Sequence, residues 1–188
     1  MGKIIEFSAF KKTDDFVTKN ETSDIGTINT KNRLYILIGI PGSGKTYYAN
    51  NHLNKMNTVI VSTDEIRKEL TGTYKFSSET NEEVFRIAKS AIKGALSNGF
   101  DVGFDATNTI REYRISFHRI AKDTNADVIA IVFKTQLSLC LKRNSTRNIE
   151  RIVPENVIIG MSTYDSNICK SEGFSEVHFV NSSLNKKL

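Results

Sequence analysis

The chain has 188 residues, enough for one domain with a sizeable core but not comfortably two. Hydrophobic residues make up 39% and charged residues 25%, an ordinary globular balance that argues against a disordered or fibrous chain. The net charge of +5 fits either a mildly basic enzyme or a protein with a polyanionic partner.

No apolar run approaches the roughly 20 residues that span a bilayer. The N-terminus lacks the apolar stretch and small-residue cleavage site of a signal peptide, so a cytoplasmic protein with no membrane association is expected. Glu6 stands where a myristoylation signal needs Ser or Thr. Cys140 and Cys169 lack CxxC spacing and only three histidines are present, which argues against zinc. Two reduced thiols are expected, with one disulfide as the alternative.

Residues 1–33 are polar, with short apolar patches, and read as an extension of unassigned role. The main domain is expected over 34–182, followed by a basic tail at 183–188 containing Lys186 and Lys187. Within the domain, Leu34–Ile40 is a continuous apolar run, the pattern of a strand buried on both faces. A Gly-rich turn and a helix over Lys45–Asn54 follow. Thr58–Ser62 predicts a second buried strand and Asp64–Leu70 a helix. Val84, Ile87, Ala88, Ala91 and Ala95 have helical spacing within Glu79–Ser97, and Gly99 stops that helix. Val102–Phe104 is a short strand ending at Asp105. A helix over Ile110–Asp123, a strand over Asp127–Phe133 and a helix from Leu137 come next. Pro154 opens a helix to about Tyr164, and Val177–Val180 is the last strand. Alternating strands and helices imply βαβ units, a parallel sheet and an α/β fold.

Gly39-Ile-Pro41-Gly42-Ser43-Gly44-Lys45-Thr46 matches the P-loop pattern G-x-x-x-x-G-K-[ST], with a buried strand entering and a helix leaving. Glycines let successive backbone N–H groups turn inward on phosphates, and the helix N-terminus adds a favourable dipole. Lys45 is expected to reach the β- and γ-phosphates, and the Thr46 hydroxyl to ligate Mg²⁺.

Ligands gather at the carboxyl ends of parallel strands, so Asp64 after the second strand is placed to accept a proton from an attacking hydroxyl. Arg67, one turn later, shares its face and suits an anionic part of an acceptor; an N-cap Asp with a solvated Arg is the plainer reading. Asp105 ends the third strand as a Walker-B-like carboxylate, able to support magnesium or to orient Arg67. Thr107 or Asn108 would cap the next helix, with Arg111 and Arg114 on its exposed face. Arg143, Arg147 and Arg151 recur at four-residue spacing. On one helix they would form a single stripe, read as a lid over a triphosphate or as a solvated basic face.

Taken together, GIPGSGKT at 39–46, DEIR at 64–67, DATN at 105–108 and KRNSTR at 142–147 with Val153-Pro154 resemble the kinase domain of phage-type 5′-polynucleotide kinases. The resemblance covers roughly residues 33–180. It implies a three-layer P-loop kinase fold with about five parallel strands in the order 2-3-1-4-5 and an arginine-bearing lid. It implies ATP and Mg²⁺ as donor and cofactor, and the 5′-hydroxyl of DNA or RNA as acceptor. By resemblance, Asp64 is the general base, Arg67 holds the acceptor's 3′-phosphate, and Asp105 with Thr107 supports the acceptor side. Arg147 is the lid residue on the donor phosphates, with Arg143 beside it. No D-x-D-G-T phosphatase motif is present, so no 3′-phosphatase activity is expected. Competing readings are a zeta-toxin-like small-molecule kinase, a tRNA-modifying kinase, or a nucleotide-hydrolysing switch. The lack of N-K-x-D disfavours a GTPase. Oligomeric state is not legible.

Overall fold

The computed structural model describes residues 31–165, 168 and 170–181. Most of the expected N-terminal extension, the basic tail and Cys169 lie outside them. Five strands form one sheet: β1 (Arg33–Ile38), β2 (Thr58–Ser62), β3 (Asp101–Asp105), β4 (Asp127–Phe133) and β5 (Glu176–Val180). They are all parallel and ordered β2-β3-β1-β4-β5, as expected.

The period-2 alternation of strand side chains feeds two cores. Leu34, Ile36 and Ile38 of β1 join Val102, Phe104, Val128 and Ala130 on one face. There they pack on α2 (Thr63–Thr71), α3 (Ser78–Ser97) and α4 (Arg111–Asp123) through Ile66, Val84, Ala88, Ile92, Phe117 and Ala121. Leu37, Ile129 and Ile131 point to the other face and meet Ala49 and Leu53. A third cluster, Ile40, Cys140 and Ile158, joins the P-loop to α5 (Leu137–Ser145) and α6 (Glu155–Met161). Among the described residues no helix is long and apolar enough to cross a membrane.

Several boundaries differ from the sequence reading. β1 stops at Ile38 because the Gly39 N–H leaves the ladder and donates to the Thr107 carbonyl at 2.9 Å. The expected Lys45–Asn54 helix is α1 (Lys45–Tyr48) followed by a π-helical turn over Ala49–Leu53. The helix after Pro154 ends at Met161, with Pro154 as its N-cap. Asn32 donates its amide to the Leu96 carbonyl at 3.0 Å, and its own carbonyl accepts from Asp127 N at 2.8 Å. The domain's contacts therefore begin ahead of residue 34.

Register places the site. Asp105 pairs with Ser62 on one side and Leu37 on the other. The carboxyl ends of β1, β2 and β3 thus stand level, and the P-loop, Asp64 and Asp105 emerge together.

Candidate active site

The loop between β1 and α1 needs glycine at two points. Gly42 has φ +81°, and a Cβ there would collide with the Cys140 carbonyl oxygen on α5; Gly44, the N-cap of α1, has φ +105°. Both positions suit the left-handed region that glycine alone adopts cheaply. Thr135 Oγ1 donates to the Ser43 carbonyl at 2.9 Å and fixes the loop from the β4 side.

Lys45 is buried. Its Nζ donates to the Ile40 carbonyl at 2.9 Å and lies 3.4 Å from Ser43 Oγ. Burial pushes this ammonium down to about 8, against the pull of Asp105 and Asp64, while Arg147 adds to the lowering. Thr46 is exposed, and its Oγ1 donates to Asp105 Oδ2 at 2.7 Å. Burial raises the Asp105 carboxyl above the ordinary carboxylate range; Lys45, the Thr46 hydroxyl and Arg147 work against that shift. Asp64 and Arg147, from two other segments, are thus close enough to act on the charge of Lys45 and Asp105.

Asp64 and Arg67, in the first turns of α2, form an ion pair at 2.7 Å. Arg67 is 6% exposed and its Nε has no hydrogen-bond partner. Neither the capping Asp nor the solvated Arg of the plainer reading is found: Ser62 is the N-cap of α2, and Arg67 is buried. Asp105 accepts from Thr46, while Arg67 pairs with Asp64. Thr107 meets the P-loop through its backbone carbonyl.

The arginine segment is not one helical stripe. α5 ends at Ser145, Arg147 lies in the following turn, and Arg151 ends a separate 3-10 turn over Ile149–Arg151. Arg143 Nη1 approaches the Gly42 carbonyl at 3.4 Å, and Arg147 Nη1 donates to the Arg151 carbonyl at 3.2 Å. The organiser is Asn144, which sequence reasoning passed over. It is buried, accepts from Val153 N at 3.0 Å and donates to the Val153 carbonyl at 2.8 Å. Residues 145–152 are thereby closed into a loop. Its far side meets α2: Arg151 pairs with Glu65 and lies 3.8 Å from the Tyr74 ring centre, and Lys68 pairs with Glu150 at 3.0 Å. Nothing in the sequence singled out Asn144, because Asn is mostly an exposed residue type.

Arg114 was also misread as part of an exposed face. It is 2% exposed, pairs with Glu172 at 2.8 Å, and donates to the carbonyls of Asn108 and Thr109 at 2.9 and 3.0 Å. Asn108, at φ +49°, donates to the Leu37 carbonyl at 2.8 Å. Neither it nor Thr107 caps α4, whose N-cap is Ile110; both instead hold the segment after β3 against β1. Arg111 stays exposed.

The Thr46 hydroxyl and the Asp105 carboxylate offer hard oxygen donors beside the P-loop, a set that suits Mg²⁺ shared with substrate phosphates. Among the described residues no group of three or more His, Cys, Asp or Glu forms an all-protein cage.

The family model described as AAA domain matches residues 34–162. An L-seryl-tRNA(Sec) kinase of Methanococcus maripaludis is 34% identical over 134 residues, 68% of this chain and 50% of that protein. A protein of Acanthamoeba polyphaga mimivirus, named as a bifunctional polynucleotide phosphatase/kinase, is 27% identical over 164 residues, 84% of this chain and 35% of that one. Among solved structures, a chain of the Pnkp1/Rnl/Hen1 RNA repair complex superimposes with a TM-score of 0.64 at 25% identity, covering 78% of this chain and 46% of that chain. The chain thus spans half or less of the length of each. The family match runs from β1 to just past α6 and takes in the P-loop, Asp64–Arg67, Asp105–Asn108 and the arginine segment, so the chain belongs to the AAA-domain family and has a P-loop kinase fold of the polynucleotide-kinase type.

Proposed function

We propose that this protein transfers the γ-phosphoryl group of ATP to the 5′-hydroxyl of a polynucleotide. The observation that carries the reading is that the Asp64–Arg67 pair after β2 and the Lys45 and Thr46–Asp105 group at the ends of β1 and β3 emerge at the same end of the sheet, with Asp64 near enough to Lys45 to act on its charge. A carboxylate with a buried cation beside a phosphate-binding loop suits the division between acceptor and donor that direct transfer needs.

In this reading Asp64 takes the proton of the attacking hydroxyl. The new bond forms between that oxygen and the γ-phosphorus as the bond to the bridging oxygen breaks, and ADP leaves. Lys45 and Arg147, with Arg143 beside it, neutralise charge on the donor oxygens, and the P-loop N–H groups hold the β-phosphate. Arg67 binds the acceptor's 3′-phosphate. Mg²⁺, held by Thr46 with Asp105 behind it, supplies further neutralisation of the phosphate oxygens when bound. The identical residues shared with a tRNA(Sec) kinase favour a second reading, in which the hydroxyl belongs to an aminoacyl group on a tRNA. Both readings keep a nucleic-acid acceptor.

The test is incubation with γ-labelled ATP and a 5′-hydroxyl oligonucleotide carrying an internal 3′-phosphate linkage. Label at the 5′ end is the expected result. Label only on seryl-tRNA transfers the assignment to the second reading, and ATP hydrolysis without any acceptor identifies a switch.

A further inference from the structure

The segment between α2 and α3 is six residues long, 72–77, and carries two aromatics that face different surroundings. Tyr74 is occupied: its hydroxyl donates to Glu65 at 3.1 Å, and both Arg151 and Lys68 lie over its ring. Phe76 is 69% exposed. Its ring centre lies 5.9 Å from the guanidinium carbon of Arg67, the buried arginine whose Nε has no partner. Leaving a Phe ring in water forgoes its burial free energy, and the sequence keeps it beside a cation whose bonding is incomplete.

The segment is held in shape. Gly72 caps α2 at φ +75°, Thr71 Oγ1 donates to the Thr73 carbonyl at 3.1 Å, and Lys75 N donates to Thr73 Oγ1 at 3.3 Å. Lys75 is exposed next to Phe76. An exposed ring flanked by cations is the arrangement that binds unpaired nucleic acid: the cations track phosphates and the π-face stacks a base.

We propose that Phe76 is a stacking platform for a nucleobase at the acceptor's 5′ end, adjoining the phosphate held by Arg67. This rests on the reading of the acceptor as a polynucleotide. It adds a specificity element: the acceptor is gripped by a base as well as by a phosphate, so a sugar phosphate without a base is a poor substrate.

The experiment compares wild type, Phe76→Ala and Phe76→Trp on two single-stranded 5′-hydroxyl acceptors, one intact and one lacking bases at its first two nucleotides. Transfer kinetics are measured, with oligonucleotide binding followed separately by anisotropy without ATP. Phe76→Ala is expected to weaken kcat/KM on the intact strand about 5- to 150-fold, chiefly through KM. Phe76→Trp should restore it, and the base-free strand should show no such dependence. An equal loss on both strands, or no loss, overturns the platform. So does a fall in Tm or a change in sedimentation for Phe76→Ala without a base-dependent effect, which would mean that another segment or a second copy covers the ring. If wild type binds the intact strand through Phe76 but transfers nothing to it, the 5′-kinase reading fails while the platform stands. If wild type neither binds nor phosphorylates it, both fail.

Discussion

Lys45 shows how one buried charge links stability to ligand binding. Its folded value of about 8 lies below the ordinary 10.5. Between those pH values the unfolded chain binds more protons than the folded one, so stability rises with pH across that window. Below pH 8 the empty protein bears the full cost of a buried ammonium. Lys45→Met should therefore be the more stable protein at pH 7 in urea unfolding, and its advantage should shrink between about pH 8 and 10.5. Phosphates beside Nζ favour the charged form, so ATP binding should take up a proton above pH 8, and affinity measured by calorimetry should fall as pH rises there. Asp64 bears on chemistry instead. Asp64→Asn should lower kcat about 10²- to 10⁴-fold while leaving ATP affinity nearly unchanged. Unchanged turnover would remove Asp64 as the base.

Among the elements, the loop closed by Asn144 is the most exposed to a single change. Asn144→Ala leaves the Val153 N–H and carbonyl without their side-chain partners. Two part-buried bonds of this kind are together worth about 1–3 kcal/mol, at roughly 0.5–1.5 kcal/mol each. The variant should unfold at lower denaturant by about that amount and show a raised KM for ATP, since Arg147 lies within the freed loop. The bridge from this loop to α2 is a different matter. Glu65–Arg151 and Lys68–Glu150 join partly exposed side chains, so each is worth about 0–1 kcal/mol and weakens with salt. Their consequence is geometric, since they set the 145–152 loop against the helix that carries Asp64 and Arg67.

At the scale of the whole molecule, the sheet order brings four segments far apart in sequence to one edge. A ligand that joins them should stabilise the fold cooperatively. ATP with Mg²⁺ at about 100 times Kd should add about 2.7 kcal/mol, a rise in Tm of about 5–10 °C for a domain of this size. Chelating the metal with EDTA, or replacing Thr46 by Val, should remove much of that rise. A thermal shift insensitive to both would argue against Thr46 as a magnesium ligand.

The P-loop and the alternating elements were legible in the sequence because each depends on local pattern; the strand order was implied only by the family resemblance. Glycines at 42 and 44 mark a phosphate loop, and apolar runs at 34–40 and 127–133 mark strands buried on both faces. In that strand order β3 lies beside β1, which sets Asp105 next to Thr46. Asn144, Arg114 and the break in the arginine stripe were not legible. Each depends on a partner that only folding supplies: Val153 across a turn, Glu172 beyond β4, and Glu65 and Tyr74 on another helix. Four-residue spacing implies a shared face only while the helix continues, and α5 stops at Ser145. The sequence by itself therefore determined the P-loop and the residue types that meet at one end of the sheet. The tertiary structure decided which of its arginines are anchors, which reach the site, and where Phe76 was left open, because burial and pairing are properties of the packed chain.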